Sequence, residues 1–306
     1  INCKASDIIK FIILEVNMNR DFVIVTDNTS DLPENYIIEN NLSMLKITYT
    51  IDGETYGTDK NMEPREFYKR MRAGSMSQTQ QVNPQNCYEL FEKLVAEGKD
   101  ILYIAFSSGL SGSYASSIIA RDEIAEKHPE AQVVVVDSLC ASLGEGLLVH
   151  KAVMLKKQGK TLQEIADWLN QNKLKLAHFF TVDDLFHLHR GGRVSKASAI
   201  VGSMLGIKPV LHVDDEGHLI PIEKVRGRKQ SLNSLVDNMI RLTENIENDI
   251  IFISHGDCEE DARYVEDLIK QKTGINSFLI NFIGPSIGSH SGPGTVALFF
   301  MAKSRL

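Results

Sequence analysis

The chain has 306 residues, of which 43% are hydrophobic and 24% charged, and its formal net charge is −7. That share of apolar residues excludes a largely disordered chain, and the length accommodates two domains. An acidic balance with no block of Lys and Arg argues against nucleic acid or an anionic membrane surface as the main partner, so an anionic ligand has to be held by local groups.

Residues 1–17 read as an extension upstream of the fold. Ile8 to Val16 is apolar but interrupted by Lys10 and Glu15; it is too short to span a bilayer and lacks a signal-peptide cleavage site. Met18 is the expected natural start, with an added helix as the alternative. Phe22–Thr26 is a first buried strand, and the polar turn Asp27–Pro33 caps a helix running to about Glu39. Leu45–Ile51 is a second strand, followed by an Asp52-Gly53 turn into Glu54–Tyr56. Pro64 opens a helix with Phe67, Tyr68 and Met71 on its apolar face. Gly74–Pro84 has no apolar period and is predicted to be a loop, either solvated or functional. Pro84 opens the next helix, which Gly98 ends.

Ile101–Phe106 is apolar throughout and reads as a strand buried on both faces. It runs into Ser107-Ser108-Gly109-Leu110-Ser111-Gly112-Ser113 and then a helix to Lys127. Hydroxyls, free backbone N–H groups and a helix N-terminus at the carboxyl edge of a sheet make this either an anion site or an ordinary Ser-rich cap. Neither a phosphate loop with its Lys nor a Gly-x-Ser-x-Gly elbow is present, so no nucleotide cofactor is implied. Gln132–Asp137 is another buried strand. Helices follow at Gly144–Lys157 and Thr161–Lys173, the second opened by a Thr161/Glu164 capping box. These β-α units predict an α/β fold with an N-terminal doubly wound parallel sheet over residues 18–174, its ligands outside the strand carboxyl ends.

From residue 175 to 306 the rhythm changes to a second α/β domain, a mixed sheet with helices. Phe179–Val182, Lys208–Val213, His218–Val225, Ile250–Ser254, Phe278–Ile280 and Thr295–Phe300 read as strands, with a hairpin at Asp215-Glu216-Gly217 and a helix over Ala262–Ile269. His290 lies in a run from Ile283 to Gly294 with four glycines and two prolines, predicted to be a tightly bent loop. Lys224–Lys229 is a compact basic cluster, either a solvated face or a dock for an acidic partner. His187 and His189 match no metal-binding spacing and read as packing and surface residues. Cys3, Cys87, Cys140 and Cys258 form no Cys-x-x-Cys pair, which fits a reducing cytoplasm.

Eight stretches in order carry a family resemblance: Val23–Pro33 (VIVTDNTSDLP), Thr79–Pro84 (TQQVNP), Phe106–Tyr114 (FSSGLSGSY), Val133–Ser138, Asp183–Ser195 (DDLFHLHRGGRVS), Ile207–Pro209, Lys224–Lys229 and Ile283–Gly294 (IGPSIGSHSGPG). Together they resemble the DegV family, whose bacterial members serve as fatty-acid-binding subunits of fatty acid kinase. The resemblance implies two α/β domains enclosing a long-chain fatty acid of the palmitate or oleate type, with a separate kinase subunit making the acyl phosphate. It implies that Thr79 and Ser111 bind the carboxylate within the loop containing Gly112, with Ser108 as the alternative serine. His290 would lie close to the head group, Arg190 and Arg193 would brace the site, and Arg226 would engage the kinase. Gln80 stands where Ser is usual and Ser113 where Thr is common. A rival register makes Ser77-Gln78 the motif, with Met76 in place of Thr and Ser75 as a substitute donor. Ile200, Met204, Leu205 and Phe282 are candidate tunnel residues. An alternative of another class is a serine-dependent acyl hydrolase using Ser111 and His290, oriented by Asp27, Asp137 or Asp257.

Overall fold

Thirteen strands form three sheets among the residues described by the computed structural model, 20–58, 60–194 and 206–306. The first sheet has the order β2 (Ser43–Leu45), β1 (Phe22–Asp27), β6 (Asp100–Ala105), β7 (Val133–Asp137), and every pairing is parallel. Its centre is apolar on both faces because both faces are covered. Ile101, Tyr103 and Ala105 meet the helices Pro84–Ala96 and Ser113–Lys127, while Leu102 and Ile104 meet Leu143–Lys157 and Leu162–Asn172. Thr161 and Glu164 close their capping box as read from the sequence.

The run expected to be one strand, Leu45–Ile51, is divided. Asn28 donates to Ile47 O at 3.0 Å and accepts from Ile47 N at 2.9 Å, and these two bonds replace the ladder at that residue. Ser43–Leu45 therefore stays in the first sheet, while β3 (Thr48–Ile51) joins β4 (Glu54–Tyr56) and β5 (Ser77–Gln80) in a small antiparallel sheet. β5 lies in the stretch expected to be a loop. Its inward side chains are Ser77 and Thr79, so the strand has an alternation of polar residues only, which hydrophobicity cannot reveal.

The second large sheet runs β10 (Leu219–Arg226), β9 (Ile207–Val213), β8 (Leu176–Thr181), β13 (Val296–Met301), β11 (Ile251–His255), β12 (Phe278–Phe282), antiparallel except for β11 with β12. One face packs on the helices Arg228–Leu242 and Glu259–Thr273. The first of these was not anticipated, although Leu232, Leu235, Val236, Met239 and Leu242 mark its buried stripe. The other face meets the helix Leu143–Lys157, which touches β1 and β6 on one side and β8, β11 and β13 on the other. Pro285–Ser291, expected to be a bent loop, is a short helix with Pro in its first turn. Its Gly288 is dictated by packing, since a Cβ there would stand 2.5 Å from the Tyr68 hydroxyl. A side chain beyond β13 ties three segments together: Arg305, 2% exposed, donates to the carbonyls of Leu139 (2.8 Å), Asp214 (2.6 Å) and Lys173 (3.1 Å).

Candidate functional site

Between the two large sheets lies a cavity of about 330 Å³. Phe180 from β8, Ala297 and Phe299 from β13, and Leu188 from the helix Leu185–Arg190 supply one apolar wall; Phe106 and Leu110 supply the other. The strand period explains the assignment, because the register Ala297↔Phe180 and Phe299↔His178 turns all four side chains to the same face. Volume and apolar lining are those of a small-molecule site.

One end of the cavity is polar. Thr79 Oγ1 lies 2.8 Å from His290 Nε2, joining β5 to the helix Pro285–Ser291, and Ser77 Oγ reaches Ser289 Oγ at 2.7 Å one strand period earlier. In this arrangement Thr79 is the residue of the β5 loop that meets His290, while Met76 is 59% exposed. Ser111 also lines the cavity, its Oγ 3.0 Å from Ser113 Oγ, and the helix begins at Ser113 with Gly112 as its N-cap residue. Arg193 donates to Leu110 O at 2.9 and 3.1 Å and to Gly191 O, which leaves its half-buried charge beside the site. Burial, with Arg193 as the second cause, lowers the His290 pKa to about 4, so the imidazole is neutral near pH 7. Its Nδ1 has no partner among the described residues and packs on Gly191, where any Cβ would collide with it. A carboxylate arriving here would meet hydroxyl and imidazole donors with a guanidinium behind them.

Other sequence candidates lie elsewhere. Ser108 is exposed, off the cavity wall, and its N–H donates to Asp137 Oδ1 at 3.2 Å. Arg190 is also exposed and donates to His187 Nδ1 at 2.7 Å. It lines an adjoining vestibule of about 290 Å³, which shares Thr79, Arg193 and His290 with the cavity. Arg226 is exposed at the end of β10 and lines neither space. Phe282 packs against His255 and the core of the small sheet, away from the cavity wall. Ile200, Met204, Leu205 and the 1–17 extension lie outside the described residues. The hydrolase constellation is not assembled: Ser111 bonds Ser113, His290 bonds Thr79, Asp27 accepts from Tyr103 and Phe106 N, and Asp257 pairs with Arg72. Among the described residues no His, Cys, Asp and Glu cluster could hold a metal ion, and no helix is long and apolar enough to cross a membrane.

Sequence reading did not single out Asp31 and Glu145, the acids behind the wall. Thr29 and Ser142 line the cavity and donate backward, Thr29 to Glu145 Oε2 at 2.9 Å and Ser142 to Asp31 Oδ2 at 2.5 Å. Burial raises the Asp31 pKa to about 7 and that of Asp27 to about 6, and it drives Glu145 upward too. Partly protonated acids repel a ligand carboxylate less than ionised ones. A folded-state pKa of about 7 against an ordinary value of 3.8 means that the stability contributed by Asp31 is fully present below pH 3.8 and lost as pH rises through 7. Asp31→Asn should therefore flatten the fall in urea midpoint between about pH 4 and about pH 7; an unchanged slope would refute the assignment.

A family model described as uncharacterised proteins of the DegV family matches residues 21–303. A DegV domain-containing protein of Clostridium perfringens is 44% identical over 288 residues, covering 94% of this chain and 99% of the relative. One from Lactococcus lactis is 38% identical over 284 residues, covering 92% and 98%. Among solved structures, the fatty-acid-binding DegV family protein of Streptococcus agalactiae aligns with a TM-score of 0.82 at 30% identity, over 93% of this chain and all of that one. The structure describing fatty acid binding by a DegV family protein of Thermus thermophilus aligns with a TM-score of 0.82 at 27% identity, over 92% and 99%. Sequence and fold agree from the first strand to the last, and the chain belongs to the DegV family.

Proposed function

We propose that this chain is a lipid carrier that encloses a long-chain fatty acid and presents its carboxylate to a separate ATP-dependent fatty acid kinase. The observation that carries this reading is an apolar cavity closed at one end by the Thr79–His290 pair. The fatty-acid-binding relatives from Thermus thermophilus, Streptococcus agalactiae and Bacillus subtilis support it. Each buried methylene contributes about 0.8 kcal/mol, so a long tail gains on the order of 10 kcal/mol before ordering costs. Hydrogen bonds to the charged head add roughly 1.5–3 kcal/mol each and fix its direction. The tail thus sets affinity and the head sets pose.

The polar vestibule beyond Thr79, Arg193 and His290 gives the carboxylate an outlet toward a partner. There a carboxylate oxygen would attack the γ-phosphorus of ATP held by the kinase, ADP would leave, and an acyl phosphate would form. This chain contributes position and shielding, Arg226 is the proposed kinase contact, and the cytoplasm is the compartment. The test is to extract the purified chain and identify fatty acid by mass spectrometry, then titrate delipidated protein with oleate and palmitate. About one acid per chain is expected, with His290→Ala weakening oleate roughly tenfold. Absence of lipid together with no binding of either acid overturns the carrier reading.

A further inference from the structure

Gln81 enters the mouth of the cavity between the two segments that carry the head-group donors. It directly follows β5, and the next amide, Val82 N, donates to Ser113 Oγ at 3.2 Å, which pins the segment against the start of the Ser113–Lys127 helix. Its carboxamide lies on Gly112: a Cβ there would stand 2.8 Å from both Cδ and Nε2 and collide with Oε1. Thr79 is engaged with His290, and Ser111 with Ser113, but the Gln81 carboxamide has no hydrogen-bond partner among the described residues. Gln81 is exposed, so its amide is solvated and can exchange water for a ligand oxygen at the cavity, whereas the Thr79 and Ser111 hydroxyls are already engaged with protein groups.

We propose that Gln81 determines head-group specificity: its side-chain N–H donates to the carboxylate of the enclosed fatty acid, and Gly112 is glycine because the carboxamide occupies the space a methyl group would take. This inference rests on the fatty-acid reading above. The hydroxyls of Thr79 and Ser111 can donate or accept, and so serve a fatty alcohol as well as an acid. Replacing the Gln81 amide with a carboxylate removes the donor and sets like charges face to face.

The experiment titrates delipidated protein with palmitate and with hexadecanol, whose tails match and whose heads differ in charge. Gln81→Glu should weaken palmitate by roughly ten- to hundredfold and leave hexadecanol within about twofold. Gly112→Ala, which evicts the carboxamide while keeping Gln81, should reproduce most of the loss, and its combination with Gln81→Leu should be no worse than either alone. Backbone torsions at Gly112 (φ −75°, ψ 1°) admit alanine, and Gln81 is exposed, so both variants fold; thermal unfolding checks this. Unchanged palmitate affinity in Gln81→Glu, or palmitate and hexadecanol weakening together, overturns the proposal. A wild-type chain that binds neither probe overturns the fatty-acid reading itself, and this proposal with it.

Discussion

Ala297→Phe should lower the affinity for long-chain fatty acids by about a thousandfold while leaving the protein folded. Ala297 sits on β13 with its methyl group on the cavity face, next to Phe180, whereas Val296, Leu298 and Phe300 face the helices on the other side of the sheet. A phenyl ring there displaces five or six methylenes of an enclosed tail, and at roughly 0.8 kcal/mol each this removes about 4–5 kcal/mol of binding. The new ring enters empty space, not a packed core, so the usual penalty for overpacking does not arise and the thermal midpoint should hold or rise. Titration of delipidated protein with oleate reads the effect, and thermal unfolding of the same variant checks that the fold is intact. Undiminished oleate binding would mean that the tail lies outside this cavity.

Arg305→Met should destabilise the protein by about 3–5 kcal/mol, the sum expected when three carbonyls lose a shared buried donor at about 1–3 kcal/mol each. Arg305 is 2% exposed and its guanidinium spans three carbonyls from three segments: the loop after β7, the end of the helix Leu162–Asn172, and the β9–β10 hairpin. Methionine fills much of the volume but leaves those carbonyls without a donor. Arg305→Lys should recover little, since one ammonium cannot reach in three directions at once. Urea unfolding measures this directly, and a loss below about 1 kcal/mol would contradict the clamp.

How much of this was legible in the sequence follows from what each element buries. The parallel strands were plain because helices cover both faces, and Ile101 to Ala105 therefore had to be apolar at every position. β5 was not, because its inward face is hydroxyls aimed at His290 and Ser289. The helix Pro285–Ser291 was hidden by the glycines in and beside it, of which Gly288 reflects contact with Tyr68 and not chain flexibility. Asn28 cut a strand with a side chain that lies 19 residues away in sequence. At the site, Ser111 and His290 stood out from the residues around them, Thr79 and Arg193 were implied by the family resemblance, and all four line one cavity. Its apolar wall could not be read in advance: alternation in β8 and β13 says that two faces exist, but only the packed structure says which faces a helix and which an opening.

The helix Leu143–Lys157 has one further consequence, for traffic in and out. Leu143, Leu147 and Leu148 belong to an apolar core continuous with side chains of both large sheets. A clamshell swing would strip these residues from one lobe or the other, at about 1.5–3 kcal/mol apiece, which together rivals the net stability of a typical domain. The lobes are thus riveted along a common spine. On the proposed carrier reading, a fatty acid would come and go at the rim, through the vestibule bordered by Met76, Gln78 and Arg190, without the two halves parting company.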